Sequence, residues 1–401
     1  MVSTGLGAWY AGTPVDVDRE PVSTRVELAR RLAERERAAG RRPTVLFTDL
    51  VEHPGRCVLG NPYPRGAVLT ALGVDHDTWL PDLAARLSGA SPGWAAVPCP
   101  PGFDRLSGLA DLPVVQHRPG DAGPYVTAGV GVTTRPDGTG VNLGVYRIQV
   151  VSGDEGRIFL DPRTDGHRNL TAWLAAGRPM PISVFLGANP AHLLVAASRL
   201  PAEGDDYDVV GRLLGRRVEV TGSPPVPVEA THVIGGHVLG RTAEEGPFGE
   251  FKGYYVDARR SNVLRVDHVR ARPGAAWPTI VAGAESGLTM MSLQNEYLMY
   301  AHLTGLGFPV RSVRYPLSAR GEFLALVTTD EPTHDVLEAA MRFDVRTKVV
   351  LCGPDLTSVW QSVATFGFGT RVEPYRRKGV VEGERIGLVL DIPPAGRPVE
   401  Y

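Results

Sequence analysis

Two glutamates flank a Gly-Pro-Phe-Gly turn in EGPFGEFKGYY, residues 245–255. Pro247 fixes its own φ and lacks a donor, while Gly246 and Gly249 can adopt conformations closed to other residues. Such a turn can draw Glu245 and Glu250 toward one point. Carboxylates held close disfavour each other's ionisation, which serves acid–base chemistry and has no purpose on a solvated loop. Taken alone, the stretch reads first as an exposed acidic turn. A second signal lies in VNLGVYRIQVV (141–151), where Asn142 and Arg147 interrupt an apolar strand. Their odd spacing puts them on opposite faces of a regular strand. A bulge at Gly144 would relieve this, since glycine inside a strand often marks a bulge or a close approach. The plainer alternative is a turn asparagine and an edge-strand arginine.

Other motifs fail on chemistry. Gly89-Ala90-Ser91-Pro92-Gly93 has the G-x-S-x-G spacing of a nucleophile elbow. The residue after the serine must donate its N–H to an oxyanion there, and Pro92 has none. GTGVNLG (138–144) places Leu143 where a dinucleotide fingerprint needs its third glycine. There is no P-loop.

The elements that must position these residues change character along the 401-residue chain. Residues 24–39 have helical apolar spacing, with Ser23 or Thr24 as cap and Gly40 as stop, and PTVLFTDL (43–50) reads as a buried strand. Short helices are expected around 67–72 and 80–87, and the Pro-rich VPCPPGF (97–103) reads as a linker. The middle is β-rich. YVTAGVGVTT (125–134), a turn at Pro136-Asp137-Gly138 and VNLGVYRIQVV form a strong hairpin signal. Helices near 170–176 and 190–198 interrupt it, with strands at 181–187, 216–222 and 231–239. A helix from about Leu293 opens a third part, followed by the strands FLALVTT (323–329) and TKVVLCG (347–353) around a helix at 333–342. Domains are expected over 1–117, 118–290 and 291–401.

A net charge of −2 with 21% charged residues gives no footprint for nucleic acid or an anionic membrane. Cys57, Cys99 and Cys352 are odd in number and widely spaced. That argues against disulfides or a thiolate zinc site and for a reducing compartment. MVSTGLGAWYAG lacks the layout of a signal peptide, and no stretch approaches a membrane span. A cytoplasmic protein is expected.

Taken in order, NLGVYRIQ (142–149), GHR (166–168), PISVFLGANPAHLLVAASRLP (181–201) and EGPFGEFKGYY resemble the UbiD family of decarboxylases. VLFTDL and NPYPRGAVLTALGV (61–74) look like that family's first domain. The likeness covers about residues 25–256 and weakens beyond. The joint occurrence of NxGxYR and EGPFGE is specific; either alone is not.

The resemblance implies an α+β multidomain chain, with a central split β-barrel of flavin reductase type flanked by N- and C-terminal α/β parts. It implies prenylated FMN, a divalent cation (Mn2+ or Mg2+), and room for K+. Arg147, Glu245 and Glu250 match the catalytic residues. Asn142 and His167 match metal ligands, and spacing to RLLGRRVEV (212–220) sets Asp206 at the third. Thr127, Val145, Tyr146, Arg147, His167, Ala197 and Ser198 fall at cofactor-contact positions, as does Arg385 in GERIGLVLD (383–391). The implied reaction is reversible non-oxidative decarboxylation of an aromatic, heteroaromatic or α,β-unsaturated acid through a covalent substrate–prenylated-FMN adduct. Losing CO2 from an sp2 carbon leaves electrons that side chains cannot accept, so a cofactor must. Arg147 would hold the carboxylate, Glu245 would orient Arg147, and Glu250 would deliver the proton. For that last role a glutamate must titrate well above its ordinary value of about 4.3.

The implied partners are the small carboxylic acid, a flavin prenyltransferase that supplies the cofactor, and further copies of the chain in a homodimer or higher oligomer. The sequence departs from the family at three places. Asp206 is a methylene shorter than the usual glutamate. Ala196 and Ala197 stand where some members carry serines. The chain ends at Tyr401, so the C-terminal helix used for dimerisation is expected to be reduced. Two other readings compete: a UbiD-like flavin-binding assembly or scaffold protein, and a plain flavin reductase. The arginine and paired glutamates argue against both.

Overall fold

The computed structural model describes residues 8–10, 12–39, 43–200, 204–252, 255–356, 368–377 and 380–390. Contacts divide the chain into two compact units, one of residues 1–76 and 89–290 and the other of residues 77–88 and 291–401. The fold is mixed α+β.

The first unit is organised by a nine-stranded sheet. In chain order its strands are β1 (Asp104–Leu106), β2 (Tyr125–Val126), β3 (Val130–Thr133), β4 (Asn142–Val145), β5 (Ile148–Val150), β6 (Glu155–Ile158), β7 (Met180–Leu186), β8 (His232–Glu245) and β9 (Arg259–Ala271). They lie in the order β2-β5-β6-β9-β8-β7-β3-β4, with β1 pairing β9. The expected hairpin exists as β3–β4, pairing Thr133 with Asn142 and Val130 with Val145. Its turn is closed by Asp137, which accepts from Thr139 N at 2.9 Å, and by Gly138 at φ 83°. Each of the two sequence segments read as one long strand breaks in two, however, after Val126 and after Val145.

That second break dictates the shape. β4 and β5 are separated only by Tyr146 and Arg147, yet lie six places apart in the sheet. In a flat sheet they would stand about 29 Å apart at ~4.8 Å per strand. Three Cα steps of about 3.8 Å reach only ~11 Å. The sheet must therefore curl until its ends approach, and Tyr146-Arg147 crosses the seam.

Three helices carry the rest of the site: α1 (Asp165–Ala175), α2 (Pro190–Ala197) and α3 (Asp206–Leu214). Thr164 caps α1, Asn189 caps α2 with Pro190 in its first turn, and Asp205 caps α3, each accepting from a backbone N–H. A four-stranded sheet of Asp16–Asp18, Val45–Phe47, Val58–Gly60 and Trp277–Thr279 completes this unit. In the second unit a five-stranded sheet includes Val310–Arg314, Leu324–Thr329 and Val349–Gly353, and the helix His334–Phe343 packs on a core of Met299, Leu303, Val327, Leu337 and Val350. Among the described residues no helix is long and apolar enough to cross a membrane.

Two buried histidines pack against the strand Trp277–Thr279. His117 Nε2 lies 2.8 Å from Thr279 Oγ1, and His232 sets its ring edge-on to Trp277 at 5.1 Å. Burial pushes both down to about 3. The unfolded chain titrates them near 6.5, so between these values it binds protons that the folded chain refuses. Their contribution is complete above about pH 6.5 and is lost as pH falls toward 3. Urea unfolding should show stability dropping between pH 6.5 and 4, with a shallower slope in His117→Asn and His232→Asn. Unchanged slopes in both variants would contradict this.

Candidate active site

Arg147, on the seam, is surrounded by acids. Its Nε donates to Glu245 Oε1 at 2.7 Å and its Nη1 to Glu250 Oε1 at 3.1 Å. Its guanidinium also sits 5.0 Å from the centre of the Phe248 ring. The turn of residues 245–250 thus brings both carboxylates onto one guanidinium. The two acids differ in setting: the Glu245 side chain is 0% exposed and that of Glu250 is 24% exposed.

Glu245 has further partners that the sequence did not disclose. Its Oε2 accepts from Arg259 Nε at 3.2 Å and from the Ser261 hydroxyl. Glu245 is the last residue of β8 and pairs directly with Arg259, the first residue of β9; Ser261 is two residues on, on the same face. Finding this in the sequence requires the β8–β9 register, which shifts twice, at Gly235/Gly236 and at Val238/Thr242. Arg259 stacks on Phe159 at 3.5 Å, and burial followed by the neighbouring Arg147 charge lowers its pKa.

The turn is clamped by segment 118–122. Asp121 accepts from Gly249 N at 2.8 Å, Ala122 N donates to Pro247 O at 2.9 Å, and Arg118 donates to the carbonyls of Gly249 and Ala282. Gly246 and Gly249 were expected to supply unusual backbone angles. Neither has positive φ; both are needed for closeness. A Cβ at Gly246 would lie 2.1 Å from Ala122 Cβ, and one at Gly249 2.4 Å from Arg118 Nη1. The bulge expected at Gly144 is also absent, since Gly144 pairs in register with Gly131. A Cβ there would meet the Tyr146 ring at 2.4 Å. Tyr146 lies in a cradle of Gly131, Gly144 and Gly166, and burial pushes its hydroxyl up to about 12.

The Tyr146 hydroxyl accepts from Asn142 Nδ2 at 3.2 Å, leaving Asn142 Oδ1 as a potential ligating atom. Asp206, at the start of α3, accepts from Leu143 N at 2.6 Å, and burial pushes its carboxyl up to about 7. Asn142 and Asp206 share a pocket of about 60 Å3, which Asp165 also lines and Arg135 and Arg168 rim. His167 is not among the lining residues; its Nδ1 is buried without a hydrogen-bond partner. Amide, carboxylate and imidazole are the donors a hard divalent cation takes, and the two arginines suit an adjacent anion. Of the three expected ligands Asn142 and Asp206 line this pocket and fit such an ion, while His167 does not line it, and no group of three His, Cys, Asp or Glu poised for metal occurs among the described residues.

The other expected contact residues are dispersed around this frame. Val145 is 41% exposed at the seam. Thr127 accepts from Ile280 N at 3.2 Å. Ala197 ends α2, and Ser198 donates to Leu194 O. Arg385 lies on the strand Val380–Leu390, and its side chain is outside the described residues. Sequence reading passed over α3 itself, though Asp205 as cap, apolar spacing and Gly215 as stop were visible signals.

Residues 102–285 match the family model described as UbiD, the 3-octaprenyl-4-hydroxybenzoate carboxy-lyase Rift-related domain. These residues carry a UbiD-family domain, which spans somewhat under half of the chain. The fold is similar over nearly the whole chain to the UbiD-class enzyme HmfF from Pelotomaculum thermopropionicum in complex with FMN. That match has a TM-score of 0.83 and 25% identity over 95% of this chain and 91% of that one. An evolved dimeric form of the same enzyme in complex with prFMN gives 0.83 and 23%, over 96% and 94%. The apo 3,4-dihydroxybenzoic acid decarboxylase from Enterobacter cloacae gives 0.84 and 19%, over 98% and 96%.

The two glutamates should differ in stability as they do in setting. Glu245→Ala strands two guanidiniums beside an empty buried position and should lower unfolding free energy by about 3–5 kcal/mol. Glu250→Ala removes a partly exposed partner and should lower it by about 1 kcal/mol or less. Equal losses in denaturant titrations would contradict the assignment of Glu245 as the buried anchor.

Proposed function

We propose that the protein is a carboxy-lyase using prenylated FMN, releasing CO2 reversibly from an aromatic, heteroaromatic or α,β-unsaturated acid. The observation that carries this reading is the pair of carboxylates on one guanidinium at the seam of a curled sheet. A guanidinium held through Nε keeps its Nη edge for an incoming carboxylate. Glu245, fully buried and bonded to Arg147, Arg259 and Ser261, fixes the direction of that edge. Glu250, partly exposed on the same guanidinium, is displaced from Nη1 by the substrate, takes up a proton, and gives it to the carbon that loses CO2. Prenylated FMN, when bound, supplies the electron sink that no side chain provides.

In this reading the central sheet is a split barrel of flavin reductase type. Thr127, Val145, Tyr146, Ala197 and Ser198 face the cofactor. Asn142, Asp206 and His167 hold Mn2+ or Mg2+ beside its phosphate, with K+ as a further cation. The chain works as a homodimer or higher oligomer in the cytoplasm and receives its cofactor from a flavin prenyltransferase.

Protein co-expressed with a flavin prenyltransferase and purified without oxygen should carry near-stoichiometric modified flavin and divalent metal by mass spectrometry. It should also release CO2 from members of a panel of unsaturated and heteroaromatic acids. Repeated purification without cofactor would favour an assembly or scaffold role. With the active acid in hand, Glu250→Gln should retain cofactor and lose about 10²–10⁴-fold in turnover. Arg147→Ala should be inactive as well. Retained turnover in Glu250→Gln would remove it as the proton donor.

A further inference from the structure

Arg259 enters the chemistry above only as a partner of Glu245. Its position is closely specified. β9 opens on it, directly opposite Glu245; its Nε holds Glu245 Oε2 at 3.2 Å; and its face lies 3.5 Å from the Phe159 ring centre. Glu245 therefore divides its oxygens, Oε1 to Arg147 and Oε2 to Arg259 and Ser261. A carboxylate pinned at both oxygens cannot rotate, so neither can the Arg147 edge it orients.

The charged and titratable groups around Glu245 come from four elements. Arg147 is on the seam, Arg259 on β9, Glu250 in the turn, and Tyr125 on β2 donates its hydroxyl to Gly246 O. Asp121 lies behind the turn and is committed to the backbone of Arg118 and Gly249. Two guanidiniums face two carboxylates, so the resting cluster is balanced. Docking a substrate carboxylate on Arg147 adds one negative charge, which a proton on Glu250 cancels. Binding and proton uptake are thereby coupled. Without Arg259 the cluster starts one charge negative, and docking meets repulsion even after the proton is taken up.

Building on the decarboxylase reading, we propose that Arg259 is a positioning residue. It locks Glu245 against Arg147 and supplies the positive charge that lets a substrate carboxylate and a protonated Glu250 coexist.

The test uses cofactor-loaded protein and two variants, Arg259→Gln and Arg259→Lys. Benzoate serves as carboxylate probe in calorimetry across buffers of different ionisation heat. The wild type should bind benzoate with uptake of about one proton. Arg259→Gln should bind about tenfold more weakly or worse, while Arg259→Lys, which restores the charge, stays nearer the wild type. On the acid found active, Arg259→Gln should raise KM more than it lowers kcat. Its alkaline limb should move to higher pH by about one unit, because the proton is held more tightly once a positive charge is gone. A purely structural arginine would lower Tm in both variants and leave the limb in place. Unchanged benzoate affinity and an unmoved limb in Arg259→Gln, in an active wild type, overturn this proposal alone. A wild type that neither binds benzoate nor releases CO2 from any acid overturns the decarboxylase reading, and this proposal with it.

Discussion

The site depends on one buried carboxylate. Glu245 is withdrawn from water, and a charge in that position survives only with partners of opposite sign and a full set of hydrogen bonds. It has both, from Arg147, Arg259 and Ser261. Removing either arginine strips countercharge from a low-dielectric setting, and removing Ser261 leaves one carboxylate oxygen short of a hydrogen bond, so the arrangement is held at every partner. That rigidity gives Arg147 a fixed direction before any substrate arrives, the condition under which a guanidinium recognises a carboxylate with little further ordering.

The sheet supplies the rest. Because β4 and β5 are joined by two residues and lie six places apart, the curl is imposed by chain length. Consecutive side chains at the seam serve different ends of the site. Tyr146 sinks into its three-glycine cradle beside Asn142, and Arg147 meets the acids. The turn bearing Glu250 is fastened to segment 118–122 by backbone bonds that a Cβ at Gly246 or Gly249 would obstruct. Glycine is required there by crowding and not by backbone angle.

Local signals in the sequence disclosed the elements well and their joins poorly. Caps, stops and apolar spacing located most helices and strands, and the 136–138 turn located the β3–β4 hairpin. Arg147 stood out as a charge inside an apolar strand, and Glu245 and Glu250 as two acids around a Gly-Pro turn. The break at Tyr146-Arg147 was not visible, since residues 141–151 carry unbroken strand propensity and only the closing sheet separates them. Arg259 was hidden for a related reason: its partnership with Glu245 depends on a register shifted twice by irregularities. Asn142 and Asp206 meet through backbone contacts that no spacing rule encodes, and His167, two residues into α1, lies off the pocket they share.

The most direct measurement is a crystal structure of the protein purified without oxygen after co-expression with a flavin prenyltransferase. A flavin ring should lie against Arg147 and Glu250, with its phosphate and a divalent cation beside Asn142 and Asp206. A flavin bound with its ring away from the seam, or a seam filled by protein side chains in cofactor-loaded crystals, would contradict the central claim.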